Sequence, residues 1–337
     1  MIKHARRFAI AACMAILTSP TFAQGKGETV RIQDYPGPGN MLFRVAASKG
    51  YCEKYGVKCQ LQMIPAAPLG VQALLAKSID VAFVPTEVQV NAMVRGAAIK
   101  AFAGAFVMNP FILMVRTDAA TAGTGKGFPF FMADLKGKKV GVTSRGAAPE
   151  VTMTFLARKA GMRAEDFTFV AVGAPDTAYP ALISKQVDAL MSFEPAGAMC
   201  EVLKTCTIIY RVADSKEPIE LSSVNGGATV HIALQELIEK NPNIIEALTK
   251  AATDAEAFLR NDANFDEALK IMLRYFKLEI PRGDEIMAHS LKYAISMSGY
   301  RAAISRPAVK AITDYMYATQ QLEAPFDAAR LVLVSAP

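Results

Sequence analysis

A short phrase occurs twice in this chain, and it constrains the fold more than any other feature. Its first copy runs through Ala67-Pro68, Ala73-Leu74-Leu75, Lys77-Ser78-Ile79-Asp80 and the apolar run Val81-Ala82-Phe83-Val84. Its second runs through Ala174-Pro175, Ala181-Leu182-Ile183, Lys185-Gln186-Val187-Asp188 and Ala189-Leu190-Met191, with one residue inserted. Each copy reads as a loop, a short helix, a tight polar turn and a buried strand. A helix between short apolar runs is the pattern of a parallel sheet, whose strands need a crossover connection. Two such units far apart predict two similar lobes. Ligands on such sheets bind beyond the carboxyl ends of the strands, so two facing lobes predict a cleft.

The 337 residues, 52% hydrophobic and 20% charged, suffice for one large domain or two modest ones. Residues 1–23 carry Lys3, Arg6 and Arg7, an uncharged stretch from Phe8 to Leu17, and Thr21-Phe22-Ala23. A basic start, a short apolar middle and a small terminal residue describe a cleavable secretory signal, with cleavage near Ala23. The stretch is shorter than the ~20 residues of a membrane span. Removing its three positive charges takes the formal net charge from +6 to +3. No basic patch interleaved with aromatics remains, which excludes a nucleic-acid footprint.

Of five cysteines, Cys13 falls inside the leader, where continuing hydrophobic character argues against a lipid-attachment site. The others form two local pairs, Cys52 with Cys59 and Cys200 with Cys206. In an exported protein such pairs read as disulfides. The zinc alternative needs tighter spacing and histidine help, and His231 and His289 sit far from both pairs. No His-Glu-x-x-His occurs, and neither histidine lies near a Gly-x-Ser-x-Gly. Neither metal nor cofactor is expected. Gly123-Thr124-Gly125-Lys126-Gly127 fails as a phosphate-binding loop, because Ala120 and Gly127 stand where Gly and Ser or Thr are required.

Strands are expected over Thr29–Gln33, Val57–Ile64, Ala101–Met108, Phe111–Val115, Val140–Val142, Phe167–Val172, Thr207–Val212 and Ala228–Ala233. Helices are expected from Asn40, Thr86, Pro149, Glu194-Pro195, Asn241-Pro242 and Ser305. Asn109-Pro110 breaks an apolar run and marks a crossing between lobes. A second crossing falls near Ser222–Gly227. The expected organisation is 1–23 leader, 24–109 with 226–337 as lobe 1, and 110–225 as lobe 2.

Several segments resemble a known family. Asp134-Leu135-Lys136-Gly137-Lys138-Lys139-Val140-Gly141-Val142 resembles the hallmark of type II periplasmic solute-binding proteins. Gly50-Tyr51-Cys52-Glu53-Lys54-Tyr55-Gly56-Val57 resembles a phrase of the group that includes sulfonate-, taurine- and thiamine-precursor-binding proteins, the NMT1/THI5-like group. The Lys77–Ala82 and Val187–Ala189 turns, Glu194-Pro195 and Asn241-Pro242 match the same pattern in order. Phe193 stands where the family often has tryptophan, and Cys52 where it has phenylalanine. The resemblance implies an α/β fold of two lobes, each a mostly parallel sheet flanked by helices, with a helical C-terminal part. It implies a periplasmic monomer, not an enzyme, that captures a small molecule for an ABC permease and its ATPase. Alternatives are binding of a thiamine pyrimidine precursor, a pyrimidine synthase on the same fold, and a partner that presents ligand to a sensor.

The loops at strand ends supply the candidate site. Ser144-Arg145-Gly146 leads into a helix, and Arg145 is the anion candidate, able to clamp a carboxylate or sulfonate bidentately. Asp34, Glu87 and Glu194 are acids that receive a ligand amine or ring N–H, or, for Glu194, cap a helix. Tyr35, Phe111 and Phe193 are candidate apolar or stacking walls, each alternatively ordinary core. Asn40 and Thr86 either touch ligand or cap their helices, and Asn225 is either ligand contact or hinge.

Overall fold

The computed structural model describes residues 25–119 and 122–337; the expected leader lies outside the described residues. The chain opens with β1 (Glu28–Asp34), and α1 (Met41–Ser48) with the short α2 (Tyr51–Lys54) carries it to β2 (Val57–Met63). The first copy of the repeated phrase builds α3 (Ala67–Leu75) and β3 (Ala82–Pro85). Then α4 (Thr86–Val94) leads to β4 (Ile99–Gly104). Beyond a crossing come β5 (Ile112–Arg116), β6 (Lys139–Val142), α5 (Ala148–Lys159) and β7 (Thr168–Ala171). The second copy builds α6 (Pro175–Ile183) and β8 (Ala189–Ser192), followed by α7 (Ala196–Leu203) and β9 (Cys206–Arg211). A second crossing containing α8 (Ile219–Ser222) reaches β10 (Thr229–Leu234). The rest is helical: α9 (Gln235–Lys240), α10 (Pro242–Leu259), α11 (Phe265–Tyr275), α12 (Gly283–Ser296) and α13 (Arg306–Ala318).

Strand pairing shows the same layout twice. β1 and β2 are parallel, β3 and β4 both run antiparallel to β10, and a parallel bridge between Ile32 and Val81 joins β1 to β3. The order is therefore β2-β1-β3-β10-β4. The second sheet reads β7-β6-β8-β5-β9, with β6 parallel to both neighbours and β5 antiparallel to both of its own. The sheets are mixed rather than purely parallel. In each, the reversed strand is the one that begins just after a crossing, so it enters from the opposite direction.

The repeated phrase is a repeated hydrogen-bond device. Lys77 (φ 58°) and Lys185 (φ 67°) both take the left-handed conformation after their helices. The amides of Ser78 and Ile79 both donate to the Ala73 carbonyl, and those of Gln186 and Val187 to Ala181. Asp80 Oδ2 accepts from the Arg31 amide at 2.8 Å while its own amide donates to the Arg31 carbonyl. Asp188 repeats this on Lys139. The aspartate thus locks the incoming strand to its parallel neighbour.

Two disulfides close local turns, Cys52–Cys59 between α2 and β2 and Cys200–Cys206 between α7 and β9, with Cα separations of 5.9 and 5.0 Å. The strand expected over Ala101–Met108 stops at Gly104, because the Gly104 amide turns away to the Ala302 carbonyl. Ser305 caps α13 through the Ala308 amide, whereas Asn40 and Asn241 hold their cap positions without a side-chain cap bond. The C-terminal tail covers the β4 edge: Ala101 bonds Leu331 and Leu333 at 2.8 Å each, which removes an open pairing edge. Among the described residues no helix is long and apolar enough to cross a membrane, and no His, Cys, Asp and Glu group could hold a metal. The helical C-terminal part packs on the first half through α10 against α1, and it also reaches the helices that flank the second sheet. Phe155 of α5 meets Tyr315 of α13 edge-on at 5.1 Å, and Arg282 at the start of α12 donates to the Val202 carbonyl of α7 at 2.9 Å.

Candidate functional site

A cavity of about 430 Å³ lies between the carboxyl ends of the two sets of parallel strands. Loop 35–39 after β1, the start of α3 and the end of β3 wall one side. Thr143, Ser144 and the start of α5 after β6, with Phe193 and Glu194 after β8, wall the other. The crossings contribute Phe106, Met108, Phe111 and Ala213, and α12 closes it with Tyr293 and its neighbours. The elements explain the placement. Both α3 and α5 carry proline in their first turn, at Pro68 and Pro149, so each loop stops and turns into a helix at the strand end.

The lining is aromatic, aliphatic and proline-rich. Tyr35 and Phe83 pack at 5.8 Å, and Phe83 leans on His231 behind it at 5.7 Å. Glu194 is the one lining residue that carries a formal charge at neutral pH, and both its oxygens are engaged. Oε1 accepts from Arg211 Nη1 at 3.0 Å and Oε2 from the Ala198 amide at 2.9 Å. Burial raises its carboxyl above the ordinary range, against the pull of Arg211. Arg211 in turn pairs with Glu201 at 2.8 Å and lies 4.1 Å over the Tyr293 ring. Tyr293 donates to Asp214 at 3.0 Å. The guanidinium that serves this corner of the cavity thus lies behind the wall, among the carboxylates it pairs.

Five of the sequence candidates, Tyr35, Phe111, Ser144, Phe193 and Glu194, come together on this cavity, whereas Asp34, Asn40, Thr86, Glu87, Arg145, Gly146 and Asn225 do not line it. Arg145 turns outward. Its guanidinium makes two bonds to Glu150 at 2.9 and 3.1 Å, with the side chain 63% exposed. Glu150 sits in the first turn of α5 and also accepts from the Gly146 amide at 2.8 Å, so both Gly146 and Arg145 are drawn to the outer face. The anion expectation built on Arg145 has no counterpart in the cavity, whose lining contains no arginine or lysine.

Asn40 is fully buried behind loop 35–39; its Nδ2 donates to the Gln33 carbonyl at 2.9 Å and its Oδ1 faces His231 Nε2 at 3.0 Å. Burial pushes the His231 imidazole down to about 4. Thr86 donates to the Gly227 carbonyl at the second crossing instead of capping α4. Glu87 borders a separate small void with Asn109, Thr152 and Tyr315, and burial lifts its carboxyl to about 6. Asn225 joins the two crossings, accepting from the Asn109 amide at 2.8 Å.

Sequence reasoning did not place Phe83, Phe106, Met108, Tyr293 or Met297 on the cavity. The first three read as ordinary buried-strand residues, and the last two lie in helical sequence with no local signal for the role.

Residues 38–264 match the protein family described as NMT1/THI5 like. A protein of Brucella abortus (strain 2308), provisionally named a binding protein, is 28% identical over 278 residues, covering 81% of this chain and 80% of the relative. A solved structure from Bordetella bronchiseptica RB50 is 25% identical and superposes with a TM-score of 0.67 over 91% of this chain and 95% of its own. The periplasmic aliphatic sulphonate binding protein SsuA of Escherichia coli, 18% identical, shares the fold with a TM-score of 0.71 over 90% of this chain and 92% of its own. The doubled sheet, the strand-end cavity and these likenesses agree, and this chain belongs to the NMT1/THI5-like family and has the two-lobed fold of periplasmic binding proteins.

Proposed function

We propose that this chain is an exported solute-binding protein that captures a small organic molecule between its halves and delivers it to an ABC-type import permease with its ATPase. The observation that carries this reading is the cavity itself: about 430 Å³, at the strand ends of both sheets, with mostly apolar and aromatic walls. The periplasmic location is supported by the leader pattern of residues 1–23 and by the names of the structural neighbours. Residues 24–109 with 226–337 form one closing body and 110–225 the other, hinged at the crossings that Asn225 ties together.

The ligand has an apolar or aromatic body. A polar head, where present, is neutral or anionic, because the starts of α3 and α5 border the cavity from opposite sides and the positive ends of their dipoles favour negative charge. A sulfonate or carboxylate head is thus held by backbone and not by Arg145. Binding without turnover fits a site whose carboxylate is already bonded on both oxygens.

The test is a thermal-shift screen of the mature chain against aromatic and alkyl sulfonates, carboxylates and pyrimidines. A true ligand at a hundred times its Kd adds about 2.7 kcal/mol, which raises Tm by roughly 4 °C in a chain of this length. Stabilisation by no compound with an apolar body, or only by small inorganic anions, would sink this reading.

A further inference from the structure

We propose that Arg44 is a positioning residue for ligand capture: from a fully buried place on α1 it holds loop 35–39 in the conformation that walls the cavity. This inference rests on the reading of the cavity as a ligand site, and its test is built to fail separately.

Arg44 has no exposed surface and does not line the cavity. Its Nε donates to both oxygens of Asp34, at 2.9 and 3.2 Å. Its Nη1 donates to the Gly37 carbonyl at 2.7 Å and its Nη2 to the Tyr35 carbonyl at 2.6 Å. The guanidinium fork therefore grips the first and the middle residue of the loop at once. Tyr300 donates to the Pro38 carbonyl at 2.7 Å from the same core side. Asn40 closes the far end on Gln33 and Asp34. The loop's carbonyls at 35, 37 and 38 all point into the protein, and its ring faces, Tyr35, Pro36 and Pro38, are left to the cavity.

An ion pair is an unusual choice for a buried structural brace. A buried pair contributes little net stability compared with well-packed apolar side chains of the same volume. What a guanidinium supplies that an apolar residue cannot is a rigid planar fork matched to several acceptors. Gly37 sits at φ 86° inside the grip, a conformation the loop would readily leave if its carbonyl were released. Ordering this loop before the ligand arrives removes an entropic cost from binding.

The experiment uses the full mature chain and 2-naphthalenesulfonate, an aromatic body with an anionic head, as probe. The double variant Arg44→Met with Asp34→Leu removes the pair without stranding a charge. The expected result is a cooperative melt, amide hydrogen exchange at residues 35–40 at least tenfold faster in the ligand-free protein, and a Kd at least tenfold weaker. Tyr300→Phe deletes only the bond to Pro38, keeps the ring contact with Phe106, and is expected to give smaller changes in the same two readouts. Replacing the surface pair Lys49–Glu267 at the other end of α1 by Ala and Gln is expected to change neither. A double variant that folds with wild-type exchange at 35–40, or binds the probe within twofold of wild type, overturns the proposal. If the double variant does not fold, Arg44→Lys decides, since it keeps a charge beside Asp34 and loses the planar fork to Tyr35 and Gly37: unchanged exchange at the loop overturns the proposal, and faster exchange with weaker binding supports it. A wild type that does not bind the probe counts against the ligand reading alone, and loop exchange still decides the role of Arg44.

Discussion

Each half of the molecule carries an arginine beyond one of two equivalent strands, β1 or β6, and the two have opposite fates. In the first half Arg44 is buried, pairs with Asp34 and braces the cavity loop from inside. In the second half Arg145 lies in the corresponding loop after β6, exposed and spent on Glu150. The same strand-loop-helix scaffold thus builds one wall that is clamped through its backbone and another held by a local surface pair. The acids after the equivalent strands β3 and β8 differ in the same way. Glu194 has Arg211 beside it, whereas Glu87 is half-buried without a neighbouring cation. A duplicated frame repeats the hydrogen bonds that hold strands together, while side chains outside the frame set what each lobe does at its cleft.

The sharpest break of this comparison is the single substitution Arg44→Met. It leaves the Asp34 carboxylate buried and unpaired, and is expected to cost about 3–5 kcal/mol in urea denaturation. A loss no larger than that of a surface change would mean that the two arginines are equivalent after all.

The repeated aspartates come next. Asp80→Ala is expected to cost about 1–2 kcal/mol and Asp188→Ala about 1 kcal/mol. Asp80 holds the strand amide and also the Arg31 side chain, while Asp188 holds a strand amide alone. Equal losses would show that the Arg31 bonds add nothing.

Glu87 offers a pH test. Its folded-state carboxyl titrates at about 6, above the ordinary 4.5, so the folded protein binds this proton more tightly. Stability from this group therefore rises as pH falls through about 6 and is absent above it. Between pH 7 and pH 5 the gain is about 1 kcal/mol, and Glu87→Gln is expected to abolish that difference in paired denaturation curves. A variant with the same pH response as wild type would assign the titration elsewhere.

Arg145→Ala is expected to do least. Neither Tm nor the affinity of a compound found by the screen should change, since the side chain lies outside the cavity on an exposed pair. A loss of affinity beyond threefold would show that the loop swings inward when ligand binds.

Much of the architecture was legible before the structure. The repeated phrase, proline at helix starts, the two local cysteine pairs and the crossing at Asn109-Pro110 are all set by residues within a few positions of one another. Half-legible features were those with two uses for one side chain. Asn40 and Thr86 stand where caps belong, yet both spend their polar atoms on distant partners, His231 and Gly227. The choice depends on what tertiary packing brings near, which no local window contains.

Two copies of a helix-turn-strand unit and two local cysteine pairs can be read from the residues alone, because hydrophobic period, turn composition and cysteine spacings of six and seven residues are short-range chemistry. Long-range packing set one reversed strand in each sheet, brought Tyr293 of α12 and Met297 just beyond it to the cavity, and directed Arg44 and not Arg145 to its wall. The reason is competition. Each arginine goes to the best acceptors within its reach: Glu150 lies five residues from Arg145, whereas the partners of Arg44 are assembled only when the loop folds back over α1.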